Sequence, residues 1–226
     1  MKKRVVKLLC AILLTCSSVS LFFVSGCSST PDYISYVSEL RKDLFVGEQD
    51  GYTVVVYAGT KEEPAIFDGV KNQSKLYLGF KVILKEECCE SPTVNFEIGD
   101  KKYSANLEFN PVKSTLFCET EVASLPEKSL TVEIVCKDNQ VTLTTYSKLK
   151  EDTISYKEAL EKAVSKAQPF LKEHTQKGVL KAEIIIRLLC ENDRNYYYVG
   201  FVCDEGLKRA YLINGKTGEV LAEKSN

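Results

Sequence analysis

Apolar positions along this chain change their spacing several times, and each change predicts a different element. Residues 8–24 carry no charge and run through Leu, Val and Phe, with Thr15, Ser17, Ser18 and Ser20 among them. In residues 32–46, Tyr33, Tyr36, Val37, Leu40 and Leu44 recur at helical spacing, so residues 28–50 read as a short tether and an amphipathic helix. From residue 51 the period falls to two. Thr53 to Tyr57 is β-branched and aromatic, and Leu76, Leu78, Phe80, Val82 and Leu84 fall on one face of a long strand. Val94, Phe96 and Ile98 answer Tyr103, Ala105, Leu107 and Phe109 across Gly99-Asp100, a hairpin signal. Residues 115–122, 129–136 and 141–147 continue the alternation. Seven short strands with no helix between them predict an antiparallel β-sandwich over 51–150.

Beyond residues 148–152 the helical period returns, which marks a domain boundary. Ser155 and Glu158 form a capping box, and Leu160, Ala163, Val164, Ala167 and Leu171 make one apolar stripe, with Pro169 expected to end or kink the helix. Strands follow at 179–190, 195–203, 207–213 and 219–223, so 153–226 reads as a helix on a four-stranded antiparallel sheet and the chain as α+β. If Ile184, Ile186, Leu188, Val199 and Phe201 lie under the helix, then Ile185, Arg187, Leu189, Tyr196, Tyr198 and Val202 point the other way. Aromatic and apolar groups around a guanidinium suit a protein contact; docking against the sandwich is the alternative.

The N-terminus carries Lys2, Lys3, Arg4 and Lys7 before the uncharged run, which then closes on Val24-Ser25-Gly26-Cys27. This resembles the signal of a bacterial lipoprotein. The resemblance implies that residues 1–27 act as the signal, that Cys27 takes the lipid, and that the remainder is held outside the cell on a membrane. A retained transmembrane helix would need about 20 apolar residues, for which this hydroxyl-spotted run is marginal. Loss of the signal leaves 26 Lys and Arg against 31 Asp and Glu, a formal charge of about −5. That balance argues against nucleic acid as a charge-driven partner. Six cysteines follow Cys27, namely Cys88, Cys89, Cys118, Cys136, Cys190 and Cys203. An even count suggests disulfides, whereas the apolar strand phase of Cys118, Cys136 and Cys190 suits buried thiols; the expectation is mostly thiols.

Three segments resemble the PepSY family: Ser155-Tyr156-Lys157-Glu158-Ala159-Leu160 opening the helix, Tyr196-Tyr197-Tyr198-Val199-Gly200-Phe201 in mid-sheet, and Tyr211-Leu212-Ile213-Asn214-Gly215-Lys216-Thr217-Gly218-Glu219-Val220-Leu221 at the last hairpin. Asn214 stands where Asp is usual, and Asn serves such a turn equally well. PepSY modules occur in propeptides of thermolysin-like metallopeptidases and in exported bacterial proteins, where they are thought to bind or restrain peptidases. The matching residues are turn formers and core residues, so the resemblance transfers no catalytic or binding residue.

Little else in the chain suggests catalysis. Gly215-Lys216-Thr217 lacks the earlier glycine of a phosphate loop, where Ala210 stands instead. His174 is the sole histidine and has no nucleophile-elbow serine or cysteine to join. Residues 86–90 gather Cys88 and Cys89 among glutamates, but no second ligand pair at metal-binding spacing accompanies them, so neither metal nor cofactor is expected. The reading is a noncatalytic envelope lipoprotein that binds a protein, with a peptidase as candidate partner. A small-ligand or metal receptor serving a transporter or sensor is the alternative.

Overall fold

A computed structural model describes residues 31–63, 73–84, 92–137, 139–203, 206 and 208–225. The Cys27 signal and the loop bearing Cys88 and Cys89 lie outside the described residues. Residues Asp32–Asn226 form one compact unit.

That unit opens with a 3-10 turn, Tyr33–Tyr36, capped by the Asp32 carboxylate, which accepts from the Ile34 amide. The chain then enters β1 (Val37–Gln49), a strand where sequence spacing suggested an amphipathic helix. Tyr36, Leu40 and Leu44 are four apart, a spacing that satisfies a two-residue period as well as a helical one. Backbone pairing decides between them, because β1 is hydrogen-bonded along both edges. One edge meets β2 (Tyr52–Glu62). The other is shared: residues 37–41 pair in parallel with β12 (Glu183–Glu191), and Phe45 and Val46 pair with β9 (Asn139–Ser147). A bulge between Arg41 and Asp43 lets the strand bend from one neighbour to the next. Gly59 faces the bulge, and a Cβ there would collide with the Leu40 carbonyl.

The remaining strands of the first half are β3 (Ser74–Leu84), β4 (Thr93–Ile98), β5 (Lys101–Asn106), β6 (Glu108–Asn110), β7 (Thr115–Glu121) and β8 (Ser129–Cys136). Two arms leave β1, one running β2-β3-β7-β6 and the other β9-β8-β4-β5. They curl toward each other into a nearly closed, barrel-like sheet, which replaces the expected sandwich of two separate sheets. The Ala123 amide, just past β7, donates to the Tyr103 hydroxyl on β5 at 3.0 Å and so ties the two arms at the seam. The enclosed core includes Phe45, Val56, Phe80, Phe96, Val132, Ile134 and Leu143. Phe80 and Phe96 rings lie 4.9 Å apart, and Phe96 stacks on Tyr103 at 5.0 Å.

The second half contains α1 (Tyr156–Glu173), a small hairpin of β10 (Thr175–Gln176) and β11 (Val179–Leu180), and then β12, β13 (Arg194–Val202), β14 (Lys208–Asn214) and β15 (Val220–Ser225). Ser155 caps α1 by accepting from the Glu158 amide at 3.2 Å, as the capping box predicts. The helix continues past Pro169 to Glu173, where sequence reasoning expected a stop or kink. Phe170 and Leu171, both buried, lie in that last turn; their burial offsets the missing amide. Ala159, Ala163 and Ala167 bring α1 close to the sheet, over Ile184, Ile186, Val199, Phe201 and Tyr211.

Strands β12 to β15 are the four antiparallel strands expected, but β1 adds a fifth in parallel, so thirteen strands among the described residues belong to one sheet. Leu44 joins the core under the helix while its neighbour Phe45 joins the barrel core. One strand therefore anchors two cores through simple alternation of its side chains. Residues 148–154 do not behave as a loose linker. The Lys148 amide donates to Leu44 O at 2.7 Å, Ile154 N donates to Gly215 O at 2.7 Å, and the Tyr197 hydroxyl donates to Ile154 O at 3.0 Å.

Cys118, Cys190 and Cys203 are thiols, whereas Cys136 is disulfide-bonded. Burial pushes the Cys118 thiol up to about 12, which keeps it protonated and unreactive.

Candidate protein-binding face

The sheet face opposite α1 follows from strand register. Ile185 stands opposite Gly200, Arg187 opposite Tyr198, and Leu189 opposite Tyr196. Tyr198 in turn faces Leu212 on β14. The residues predicted for this face therefore do share it. Ile185, Arg187, Tyr196 and Tyr198 are half-buried, but Val202 is only 8% exposed and contributes support rather than contact. The Tyr198 ring lies down across its own strand, because a Cβ at Gly200 would sit 3.0 Å from both its Cε1 and its hydroxyl. Glycine at position 200 is what allows that orientation.

The expected alternative, in which the face docks on the barrel, takes a different form. The barrel continues the sheet sideways through β1, which sets Glu39 beside Ile185 and Arg41 beside Arg187. Glu39 accepts two hydrogen bonds from Arg187, Nε to Oε1 at 2.9 Å and Nη2 to Oε2 at 2.7 Å. Arg41 Nε reaches the same Oε1 at 2.6 Å and the Tyr77 hydroxyl at 3.1 Å. The Arg41 guanidinium also lies 4.6 Å from the Tyr57 ring centroid, and Lys61 Nζ lies 5.3 Å from that of Tyr77.

Burial by itself would raise the Glu39 carboxyl, but Arg187 and Arg41 outweigh it and hold Glu39 below its ordinary range. The same carboxylate raises Arg41 despite burial, and burial pushes the Tyr77 hydroxyl well up. Each group is thus fixed in one charge state at neutral pH. Such a network orients side chains; it does not poise an acid or base for turnover.

Sequence reasoning found Arg187 and missed Glu39, Arg41 and Tyr77. A usable signal was present, since Glu39 and Arg41 alternate with Ser38 and Leu40 at the strand period. His174, set aside as a helix-end residue, occupies the C-cap of α1, with Nδ1 2.8 Å from Phe170 O and its ring stacked on Phe170. Among the described residues, no group of three or more His, Cys, Asp or Glu is placed to hold a metal ion.

No curated protein and no solved structure matches the chain. Residues 153–224 match the PepSY family model, described as the peptidase propeptide and YPEB domain. The face is therefore carried by a PepSY domain, bordered by one strand, β1, that lies outside the match.

Proposed function

We propose that this chain is a noncatalytic cell-envelope lipoprotein whose PepSY domain binds a protein partner, an extracellular peptidase foremost. Cys27 carries the lipid in this reading, and the short segment after it holds the folded unit close to the membrane. The observation that supports the reading best is the composition of the half-exposed face: Ile185, Tyr196 and Tyr198 beside a fully paired Arg187. Tyrosine at such a site offers a large apolar area with a polar tip at low entropic cost, which suits a contact and gives no reactive group.

The test uses the purified chain and a secreted thermolysin-like metallopeptidase from the same host, with peptidase activity and direct binding both measured. Binding should weaken by about 30-fold in Tyr198→Ala and similarly in Tyr196→Ala, the loss expected of a buried aromatic contact worth about 2 kcal/mol. Unchanged affinity in both variants would remove this face from consideration. Mass spectrometry of membrane-derived protein tests the anchor separately, with an acylated N-terminal Cys27 as the expected species.

A further inference from the structure

A second surface, independent of the tyrosine face, lies where residues 150–153 meet two hairpin turns. It is a cleft of about 330 Å³ lined by Lys150, Asp152, Asp193, Arg194, Asn195 and Lys216, among others. Its floor is rigid. Asn195, 7% exposed, accepts from the Lys150 amide at 3.0 Å and the Thr153 hydroxyl at 2.8 Å, and donates to Lys148 O at 3.0 Å. A Cβ at Gly215 would stand 2.5 Å from the Asn195 carbonyl, so the turn packs tightly against this floor.

The charges around the cleft are unequal. Lys150 holds Asp193 at 2.7 Å and Lys216 holds Asp152 at 2.9 Å, so both carboxylates are already neutralised. Those lysines hold the two aspartates below the usual carboxylate pKa, and Lys148 acts on Asp193 as well. Arg194 remains. It faces Glu191 in register across the hairpin, yet makes no ion pair with any described residue. A cleft with a surplus cation thus sits on a protein that is acidic once its signal is removed.

Position adds to this. The chain enters beside the start of β12, where Val37 pairs with Ile184, while the cleft is built on the turn at the other end of β12, roughly 30 Å away by strand rise. A unit held by its N-terminus presents the cleft at its far end. We infer that this cleft binds a carboxylate of an acidic peptide segment, with Arg194 as the anchoring cation and the Asn195 floor fixing its geometry.

The experiment is a titration followed by ¹H–¹⁵N spectra of the full chain in detergent micelles. The probes are acetyl-Gly-Glu-Glu-Gly-amide, the same peptide with glutamine at both central positions, and sodium phosphate. The glutamate peptide should shift the Asn195 side-chain amide and the Lys216 and Thr217 backbone amides to saturation. Arg194→Gln should weaken that binding by about tenfold or more, as expected for a lost charged hydrogen bond, with the rest of the spectrum unchanged. Lys216→Gln, which leaves Asp152 without its partner, should weaken it as well. The inference is overturned if the glutamine peptide gives the same shifts, if phosphate reproduces them with equal or greater effect, if Arg194→Gln binds normally, or if no probe moves these signals.

Discussion

The barrel-like half and the PepSY half each turn a sheet face to solvent, and the two faces differ in kind. On β4, β5 and β8 the outward positions are Asn95, Glu97, Lys102, Ser104, Thr131 and Glu133, tied sideways by bonds such as Asn95 Nδ2 to Glu133 at 2.8 Å. On β12 to β14 the comparable positions are Ile185, Leu189, Tyr196, Tyr198 and Leu212, around an Arg187 that is paired with Glu39. Both halves bury a full core, so core formation does not explain the apolar content of the second face. A polar face is what a sheet needs merely to stay in water; an aromatic one costs solubility and calls for an occupant. Exposed apolar side chains are not confined to that half, since Phe109, Phe117 and Tyr146 on the barrel strands are exposed as well; the proposed reading assigns the partner to the PepSY face and support to the barrel.

That division is broken most forcefully at β1, the strand the halves share. Phe45→Ala empties a fully buried site in the barrel core and should destabilise by about 3–5 kcal/mol. Leu44→Ala, one residue away, removes a side chain from the other core and should cost about 2–4 kcal/mol. Because β1 joins both cores, each variant should move one single unfolding transition, followed in urea by far-ultraviolet circular dichroism and tyrosine fluorescence together. Two transitions that shift separately would show two independent domains, as the change of period near residue 150 first suggested.

The ion network where β1 meets β12 is next in size. Glu39→Ala would leave Arg41 and Arg187, both partly desolvated, without their carboxylate, at a cost of about 2 kcal/mol. The pH dependence has a definite sign. The folded-state pKa of Glu39 is lowered, so its stabilisation is complete above the unfolded value and is lost as pH falls through the folded one. Asp43 works in the opposite sense, because burial raises its carboxyl against the Ser147 and Leu44 bonds. Its cost develops as pH rises from the unfolded value toward the folded one. Urea midpoints on the acid side of neutrality should therefore fall less steeply in Glu39→Gln than in the parent; an unchanged slope would show that the network carries no net charge effect.

Which parts were legible in sequence follows from how local their determinants are. Turns and caps were readable because they depend on neighbours: Ser155 caps α1, and Gly99 takes positive φ in the β4 to β5 hairpin. The alternation that put Ile184, Ile186 and Leu188 under the helix and Arg187 opposite was likewise a local property of one strand. What was missed was β1, where the alternation of Glu39 and Arg41 with Ser38 and Leu40 was outweighed by the four-residue spacing of Tyr36, Leu40 and Leu44. Its pairing with β12 joins residues separated by well over a hundred positions, and Leu44 and Phe45 are buried on opposite sides, so the strand shows no clean polar face. Missing β1 cost the curled sheet, the shared core and the Glu39 and Arg41 half of the site. The single Pro169 misled for a related reason, since tertiary burial of Phe170 and Leu171 overrode a local helix breaker.

A sharper cut through the comparison changes only the aromatic face. Gly200→Ala brings a methyl to within 3.0 Å of the Tyr198 ring, which must then lift off the strand. Stability should change by about 1 kcal/mol, since Tyr198 is half-buried and its far end can move. Affinity for the peptidase partner should fall by roughly tenfold, because a contact surface depends on the pose of its aromatic anchors as well as on their presence. Gly200→Ala with normal affinity would mean that the partner does not touch Tyr198 in the orientation described.

The smallest expected effect lies on the barrel, and it serves as the control for the others. Thr131 and Thr144 share a hydroxyl bond at 3.0 Å on the exposed face, where water can replace either partner. Thr131→Ala should therefore alter stability by less than about 0.5 kcal/mol and leave partner binding untouched. Binding lost in Thr131→Ala, at unchanged stability, would mean that the polar face also carries a partner. The aromatic face would then share that partner with the barrel, and the barrel would need a role beyond support.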